Sequence, residues 1–278
     1  MKVLHTIAEV RAARAGYPRL GFVPTMGALH EGHLSLVRAA RARCGAAAVS
    51  IFVNPTQFND KSDFARYPRT LEADVALLAQ EGCDLVFAPG ANELYPQGFA
   101  TRVDVGPVSA PLEGAARPGH FTGVATVVAK LLNIVQPTEA FFGQKDAQQV
   151  AVIRRLARDL DLPTQIVALP TVREADGLAM SSRNVHLSPQ DRAAAIVIYR
   201  ALNAAQKAFE EGERDGEKLR ALMRAILAQE TRGVVEYVSV AHPGSLEESG
   251  VIGAEGALAS LAVRFGATRL IDNVILGG

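Results

Sequence analysis

Two histidines three residues apart carry the densest chemistry in this chain. They lie in Pro24-Thr25-Met26-Gly27-Ala28-Leu29-His30-Glu31-Gly32-His33. A short apolar run over 20–23 reads as a buried strand, and Leu34, Leu36, Val37 and Ala40 follow with helical spacing. The histidines therefore sit where a strand turns into a helix. Such a turn exposes backbone N–H groups and the positive end of a helix dipole, so it holds an anion. Gly27 and Gly32 let a ligand approach the backbone closely. Paired imidazoles there suit a nucleoside triphosphate whose α-phosphate is about to be attacked. Two other readings compete. The junction could be structural, or the histidines could bind zinc with a third ligand such as His120, although the pattern is not His-Glu-x-x-His. The Gly-x-x-x-x-Gly-Lys-Ser/Thr phosphate loop is absent.

Other polar clusters fall at strand ends or at a domain seam. In Phe52-Val53-Asn54-Pro55-Thr56-Gln57-Phe58, Asn54 and Gln57 follow a strand and Phe58 offers an apolar wall, which suits a small hydroxy acid. A proline turn capped by asparagine is the plain alternative. Phe142-Gly143-Gln144-Lys145-Asp146 ends another strand and opens a helix. Gly143 permits close approach, Lys145 supplies a point charge for phosphate, and Asp146 suits capping or a ribose hydroxyl. Gln149 lies one turn further on. Met180-Ser181-Ser182-Arg183-Asn184 places two hydroxyls beside an arginine, a set that can wrap phosphate oxygens. Arg117-Pro118-Gly119-His120-Phe121 adds a basic loop before a helix.

The elements that position these clusters follow from periodicity. Strands are expected over 20–23, 46–53, 84–88, 139–142 and 165–169, and helices over 31–43, 70–81, 122–135 and 147–160. This alternation predicts an α/β fold, a Rossmann-like parallel sheet covered on both faces. The pattern changes near Pro170. A long helix starts at Ser188-Pro189, another runs over 216–231, a strand covers 234–241, and a hairpin pairs 258–265 with 269–276. The expected organisation is residues 1–171 as the sheet domain and residues 172–278 as a smaller α+β domain with the hinge.

Bulk properties exclude several classes. Of 278 residues, 49% are apolar and 21% charged, ordinary values for a globular protein. Lys+Arg and Asp+Glu both number 29, so no general basic face for nucleic acid is expected. No apolar run is long enough to span a membrane, and the first residues lack a signal-peptide pattern. Cys44 and Cys83 form no metal or redox motif and read as core thiols of a cytoplasmic protein.

Taken together, these motifs make the chain resemble the pantothenate synthetase (pantoate–β-alanine ligase) family. The resemblance rests on PTMGALHEGH at 24–33, FVNPTQF at 52–58, YPRT at 67–70, LEG at 112–114, RPGHFTGV at 117–124, FFGQKDAQQ at 141–149 and PTVREADGLAMSSRN at 170–184. His-x-Gly-His alone marks a wider superfamily of nucleotidyltransferases and aminoacyl-tRNA synthetases. The resemblance implies an ATP- and Mg²⁺-dependent ligation in which pantoate carboxylate attacks the α-phosphorus to give pantoyl-adenylate and pyrophosphate. The amine of β-alanine then releases AMP and forms pantothenate. It implies that Met26, Gly27, Ala28, Leu29, His30, Glu31, Gly32 and His33 form the phosphate-binding turn, with His33 as catalytic histidine beside His30, Lys145 and Arg183. Gly143, Gln144, Lys145, Asp146, Val172, Met180, Ser181, Ser182 and Arg183 match ATP-binding positions. Gln57 and Gln149 match pantoate-binding positions, and Gln57 also lies near the β-alanine pocket. A homodimer with a C-terminal lid is implied. Some members carry two adjacent acids where this chain has Ala73-Asp74. Asp74 is thus the candidate protein ligand for Mg²⁺, with phosphate oxygens and water supplying most of the coordination.

Two rival functions fit part of the pattern. One is a nucleotidyltransferase acting on another small acceptor, against which the paired glutamines and the large C-terminal part argue. The other is a silent nucleotide-binding sensor, against which His30, His33, Lys145 and Arg183 argue.

Overall fold

Strands that read as continuous apolar runs without in–out alternation must be covered on both faces. The strands Gly21–Thr25, Ala47–Ile51, Leu85–Phe87 and Glu139–Gly143 are buried along most of their length, whereas the edge strand Gln165–Leu169 is only part-buried. In the computed structural model, which describes residues 1–59 and 61–277, six strands form one parallel sheet. They are β1 (Lys2–Leu4), β2 (Gly21–Thr25), β3 (Ala47–Ile51), β4 (Leu85–Phe87), β5 (Glu139–Gly143) and β6 (Gln165–Leu169), in the order β1-β4-β3-β2-β5-β6. β2 pairs with β3 from Gly21↔Ala47 to Thr25↔Ile51, and with β5 on its other side. The chain builds outward from β2 in one direction and later in the other. Strand β2 is thus where the direction of building reverses, the position at which sheets of this kind usually bind ligands.

Helix Glu31–Cys44 buries Leu34, Leu36, Val37, Ala40 and Cys44 and ends at Gly45 in the left-handed region, φ 81°. Their partners in the core include Val23, Val49, Val86 and Phe141. The helix approaches so closely that a Cβ on Gly21 would lie 2.7 Å from the Ala40 Cβ. Helix His120–Val135 is buried along nearly its whole length. A Cβ on Gly123 would meet the Thr56 carbonyl at 2.4 Å, so this glycine lets the turn after β3 rest on the helix.

Some boundaries differ from expectation. The second apolar run, over 46–53, stops as a strand at Ile51, because Asn54 and Pro55 begin a tight 3-10 turn over Pro55–Gln57. β1 and helix Ile7–Arg14 lie outside the elements expected from periodicity. Thr6 and Glu9 form a reciprocal capping box at the start of that helix. The long helix expected from Ser188 is two helices, Pro189–Ala194 and Ile196–Glu210.

The chain divides into two compact units, residues 1–143 with 148–169, and residues 144–147 with 170–278. The second unit has an antiparallel sheet of β7 (Gly233–Ala241), β8 (Ala257–Phe265) and β9 (Thr268–Leu276), in that order. Its core joins Ile198, Ala201 and Leu202, Leu219 and Met223, and Leu261 and Val263 of β8. No helix among the described residues is long and apolar enough to cross a membrane.

Candidate active site

The His-x-Gly-His turn is built by its own side chains. Gly27 and Ala28 both take left-handed conformations, φ 84° and 50°. The backbone then turns so that the N–H groups of Ala28 and Leu29 point at one carboxylate. Asp74 Oδ2 accepts from Ala28 N at 3.0 Å, and Oδ1 accepts from Leu29 N at 2.8 Å. Thr70 Oγ1 donates to Oδ2 at 3.1 Å. A Cβ on Gly27 would come within 2.9 Å of Asp74 Oδ2, so only glycine fits here. Thr25 adds a second hold. Its hydroxyl donates to the Ser50 carbonyl and accepts from Gly27 N.

Both imidazoles serve as helix caps. His30 Nδ1 accepts from Gly32 N at 3.2 Å, and His33 Nδ1 accepts from His30 N at 3.4 Å. The rings lie 4.2 Å apart between centroids. An Nδ1 that accepts from a backbone N–H cannot carry the proton, so in the neutral ring the proton sits on Nε2. The capping geometry thus sets both histidines as Nε2–H donors beside a helix N-terminus. Glu31, the next residue, pairs with Arg38 further along the same helix.

The turn after β3 holds Gln57 between two sets of partners. Its Nε2 donates to Met26 Sδ at 2.9 Å, and its Oε1 accepts from Asn54 Nδ2 at 3.1 Å. Its carbonyl accepts from His120 Nδ1 at 2.8 Å and from Arg117 at 3.2 Å. His120 therefore acts as a brace for Gln57. The described residues contain no group of three His, Cys, Asp or Glu that could hold a metal, so the zinc reading has no site there. Asn54 is fully buried and also donates to the Gly123 carbonyl, while its Oδ1 accepts from the Tyr95 hydroxyl at 2.9 Å. Burial raises the Tyr95 pKa, which keeps that hydroxyl a donor. Gln149 lies in the first turn of helix Ala147–Asp159, half-buried. Its neighbour Gln148 is the buried one. Gln148 clasps the loop before helix Glu113–Ala116 by donating to the Val108 and Pro111 carbonyls and accepting from Glu113 N.

In the second unit, Gln144, Lys145 and Asp146 form a 3-10 turn, with Lys145 Nζ 3.3 Å from Asp146 Oδ1. Residues 172–180 fold back on themselves. Met180 N donates to the Val172 carbonyl at 3.0 Å, and Glu174 N donates to the Leu178 carbonyl at 2.8 Å. Asn184 Nδ2 ties the following loop to Glu174 and to the Ala179 carbonyl. Ser181 Oγ accepts from Arg183 N at 3.2 Å. This small hairpin carries Met180, Ser181, Ser182 and Arg183 at its end.

Sequence patterns point to the turn, the glutamines and the lysine. They do not point to Asp74 as the anchor of Ala28 and Leu29, to Asn54 as a buried hub, or to Gln148 as a clasp. A single acid in a helix carries no local signal of a partner 45 or 46 residues away.

Comparison with known proteins identifies the family. A sequence profile described as pantoate–β-alanine ligase matches residues 2–275. Pantothenate synthetase of Chloroflexus aggregans is 62% identical over 276 residues, covering 99% of this chain and 100% of the relative. The crystal structure of pantothenate synthetase from Thermus thermophilus superposes with a TM-score of 0.95 at 49% identity, covering 100% of both chains. Pantoate–β-alanine ligase from Francisella tularensis, solved in complex with β,γ-ATP and β-alanine, superposes with a TM-score of 0.79 at 35% identity, covering 99% of this chain and 97% of that one. The chain belongs to the pantoate–β-alanine ligase family.

Proposed function

We propose that this chain joins pantoate to β-alanine at the expense of ATP, with the following division of labour. A pantoate carboxylate oxygen attacks the α-phosphorus and pyrophosphate leaves. The β-alanine amine then attacks the acyl carbon and loses a proton, and AMP leaves with the oxygen that had bridged carbon and phosphorus. The first step needs positioning and stabilisation of charge on phosphate oxygens more than covalent help. His30 and His33 supply donors from Nε2 at a helix N-terminus, and this preset pair of donors is the observation that carries the reading. Lys145 and Arg183 supply cationic charge to the triphosphate, and the backbone of 26–33, 143–146, 172 and 180–183 frames the nucleotide. Gln57 and Gln149 hold pantoate, and Gln57 also borders β-alanine. The fixed Gln57 carbonyl supports that assignment, because the carboxamide, held by Met26 Sδ and Asn54 Nδ2, can exchange those partners for a ligand while the backbone stays in place.

Magnesium is assigned to the phosphate oxygens of ATP and to water. Among the described residues no group of three His, Cys, Asp or Glu converges to hold a metal. Both oxygens of Asp74 already accept protein donors, which favours Asp74 as the anchor of the turn over Asp74 as a metal ligand. A cytoplasmic setting is supported by the two free, buried thiols Cys44 and Cys83. A homodimer rests on the family resemblance, and sedimentation of the purified chain tests it.

The function is tested by exchange of labelled pyrophosphate into ATP without β-alanine. With ATP and Mg²⁺ present, exchange should require pantoate and no second acceptor, because the adenylate forms reversibly in the first step. Exchange that also needs β-alanine, or that runs without pantoate, contradicts the assignment.

A further inference from the structure

Residues 144–147 follow β5 directly, yet they pack with the C-terminal unit. One side chain ties them there. On β9, Leu270, Asp272 and Leu276 share a face, since strand residues alternate. Leu270 and Leu276 belong to the core of that unit. Asn273 points the other way and is nevertheless only 4% exposed. Its Nδ2 donates to the Gln144 carbonyl at 2.9 Å and to the Lys145 carbonyl at 2.8 Å. Its Oδ1 accepts from Gln144 Nε2 at 3.3 Å. Two backbone carbonyls can only accept, so the orientation of this amide is fixed by its partners.

The adjacent residue works on the opposite face. Asp272 accepts from Arg173 through both oxygens, at 2.6 and 3.1 Å. Arg173 also donates to the Gly177 carbonyl, and so closes the hairpin that carries Met180–Arg183. Burial pushes the Asp272 carboxyl up, while Arg173 and the Asn273 N–H work to keep it ionised. One dipeptide of β9 therefore holds both the Lys145 turn and the hairpin that leads to Arg183.

We propose that Asn273 is a positioning residue for adenylation, acting through Lys145. The proposal rests on Lys145 as a phosphate cation. A carboxamide that pins the carbonyls on either side of the Lys145 N–H fixes where the lysine side chain departs, and hence where its charge is presented. Without that donor pair, two part-buried carbonyls each lose a hydrogen bond and the 144–147 turn is free to shift.

A double-mutant cycle tests this, because coupling separates a residue that acts through Lys145 from one that supports the fold in general. The full chain and the variants Asn273→Ala, Lys145→Ala and the pair are compared in single-turnover pantoyl-adenylate formation at saturating ATP. Thermal melts and hydrogen exchange over 144–147 are measured alongside. Asn273→Ala should slow adenylation roughly tenfold to a hundredfold, the scale for unpairing part-buried polar groups. It should accelerate exchange over 144–147. In the Lys145→Ala background it should change the rate less than about twofold. Equal slowing by Asn273→Ala in both backgrounds overturns the proposal, as does a normal rate in Asn273→Ala. Should Lys145→Ala itself adenylate normally, the phosphate role of Lys145 fails and the proposal falls with it, which distinguishes that failure from loss of the brace alone. If Asn273→Ala melts too low to assay, Asn273→Ser takes its place in the cycle: slowing that vanishes in the Lys145→Ala background supports the proposal, and equal slowing in both backgrounds overturns it.

Discussion

Replacing Asp74 by asparagine is the sharpest perturbation of the His30–His33 turn. The change keeps the shape of a side chain that is 2% exposed. It keeps one oxygen and turns the other into an NH₂ group. If the oxygen stays with Leu29 N, the NH₂ faces Ala28 N, which is also a donor, across what was a 3.0 Å hydrogen bond. Thr70 can rotate its hydroxyl to accept, so that contact survives. A hydrogen bond to a charged group contributes about 1.5–3 kcal/mol and a neutral one about 1 kcal/mol. One charged bond is lost and the other becomes neutral, for a cost of about 2–5 kcal/mol. Ala28, already at φ 50°, is the residue free to relax. With about half of that cost expressed in the transition state, adenylation slows roughly fivefold to sixtyfold, at about 1.4 kcal/mol per factor of ten. Rapid-quench measurement of pantoyl-adenylate from α-labelled ATP gives the rate, repeated at rising Mg²⁺. An anchor role predicts a slow step that added Mg²⁺ does not restore, together with a lowered melting temperature. Recovery of the rate at high Mg²⁺ makes Asp74 a metal ligand instead, and an unchanged rate at every Mg²⁺ concentration refutes the anchoring argument.

Three further outcomes follow from the same geometry. His33→Ala should slow adenylation by roughly 10²–10³, the scale for one transition-state donor. His33→Asn, whose Oδ1 can still cap His30 N, should be as slow while melting near the parent; a normal rate in it assigns His33 to capping alone. Gln57→Ala should weaken pantoate binding by about 1–3 kcal/mol, and calorimetry with an ATP analogue reads this directly, unchanged affinity counting against the role. Burial pushes the Cys83 thiol up to about 12 and also raises Cys44, so a thiol reagent at pH 8 should label the folded protein slowly and both thiols quickly in denaturant; rapid labelling of the folded chain contradicts the packing described.

Much of the sheet and of the first histidine turn is legible in the residues. A buried strand, two glycines and an amphipathic helix leave few options for 20–44, and the turn at Asn54-Pro55 reads almost as directly. What cannot be read depends on distant partners. Asp74 sits in an ordinary helix, and its task appears only when the sheet brings it under Ala28 and Leu29. Asn273 reaches Lys145 across 128 positions, so residues 144–147 read as part of the first domain although the C-terminal strand holds them. The N-terminal helix has a local signal that apolar periodicity does not register. Thr6-Ile7-Ala8-Glu9 is a capping-box sequence, and β1 before it is too short to show a period. The break at Ala195 between helices Pro189–Ala194 and Ile196–Glu210 has no breaker residue to announce it.

The chemistry assigned to the site is best tested by following one oxygen. Pantoate labelled with ¹⁸O in its carboxylate is turned over with ATP and β-alanine, and the products are weighed by mass spectrometry. Attack of the carboxylate on the α-phosphorus, followed by amine attack on carbon, leaves one labelled oxygen in AMP and one in the new amide. AMP without label, or label in pyrophosphate or inorganic phosphate, contradicts the adenylate route and with it the phosphate-binding roles of His30, His33, Lys145 and Arg183.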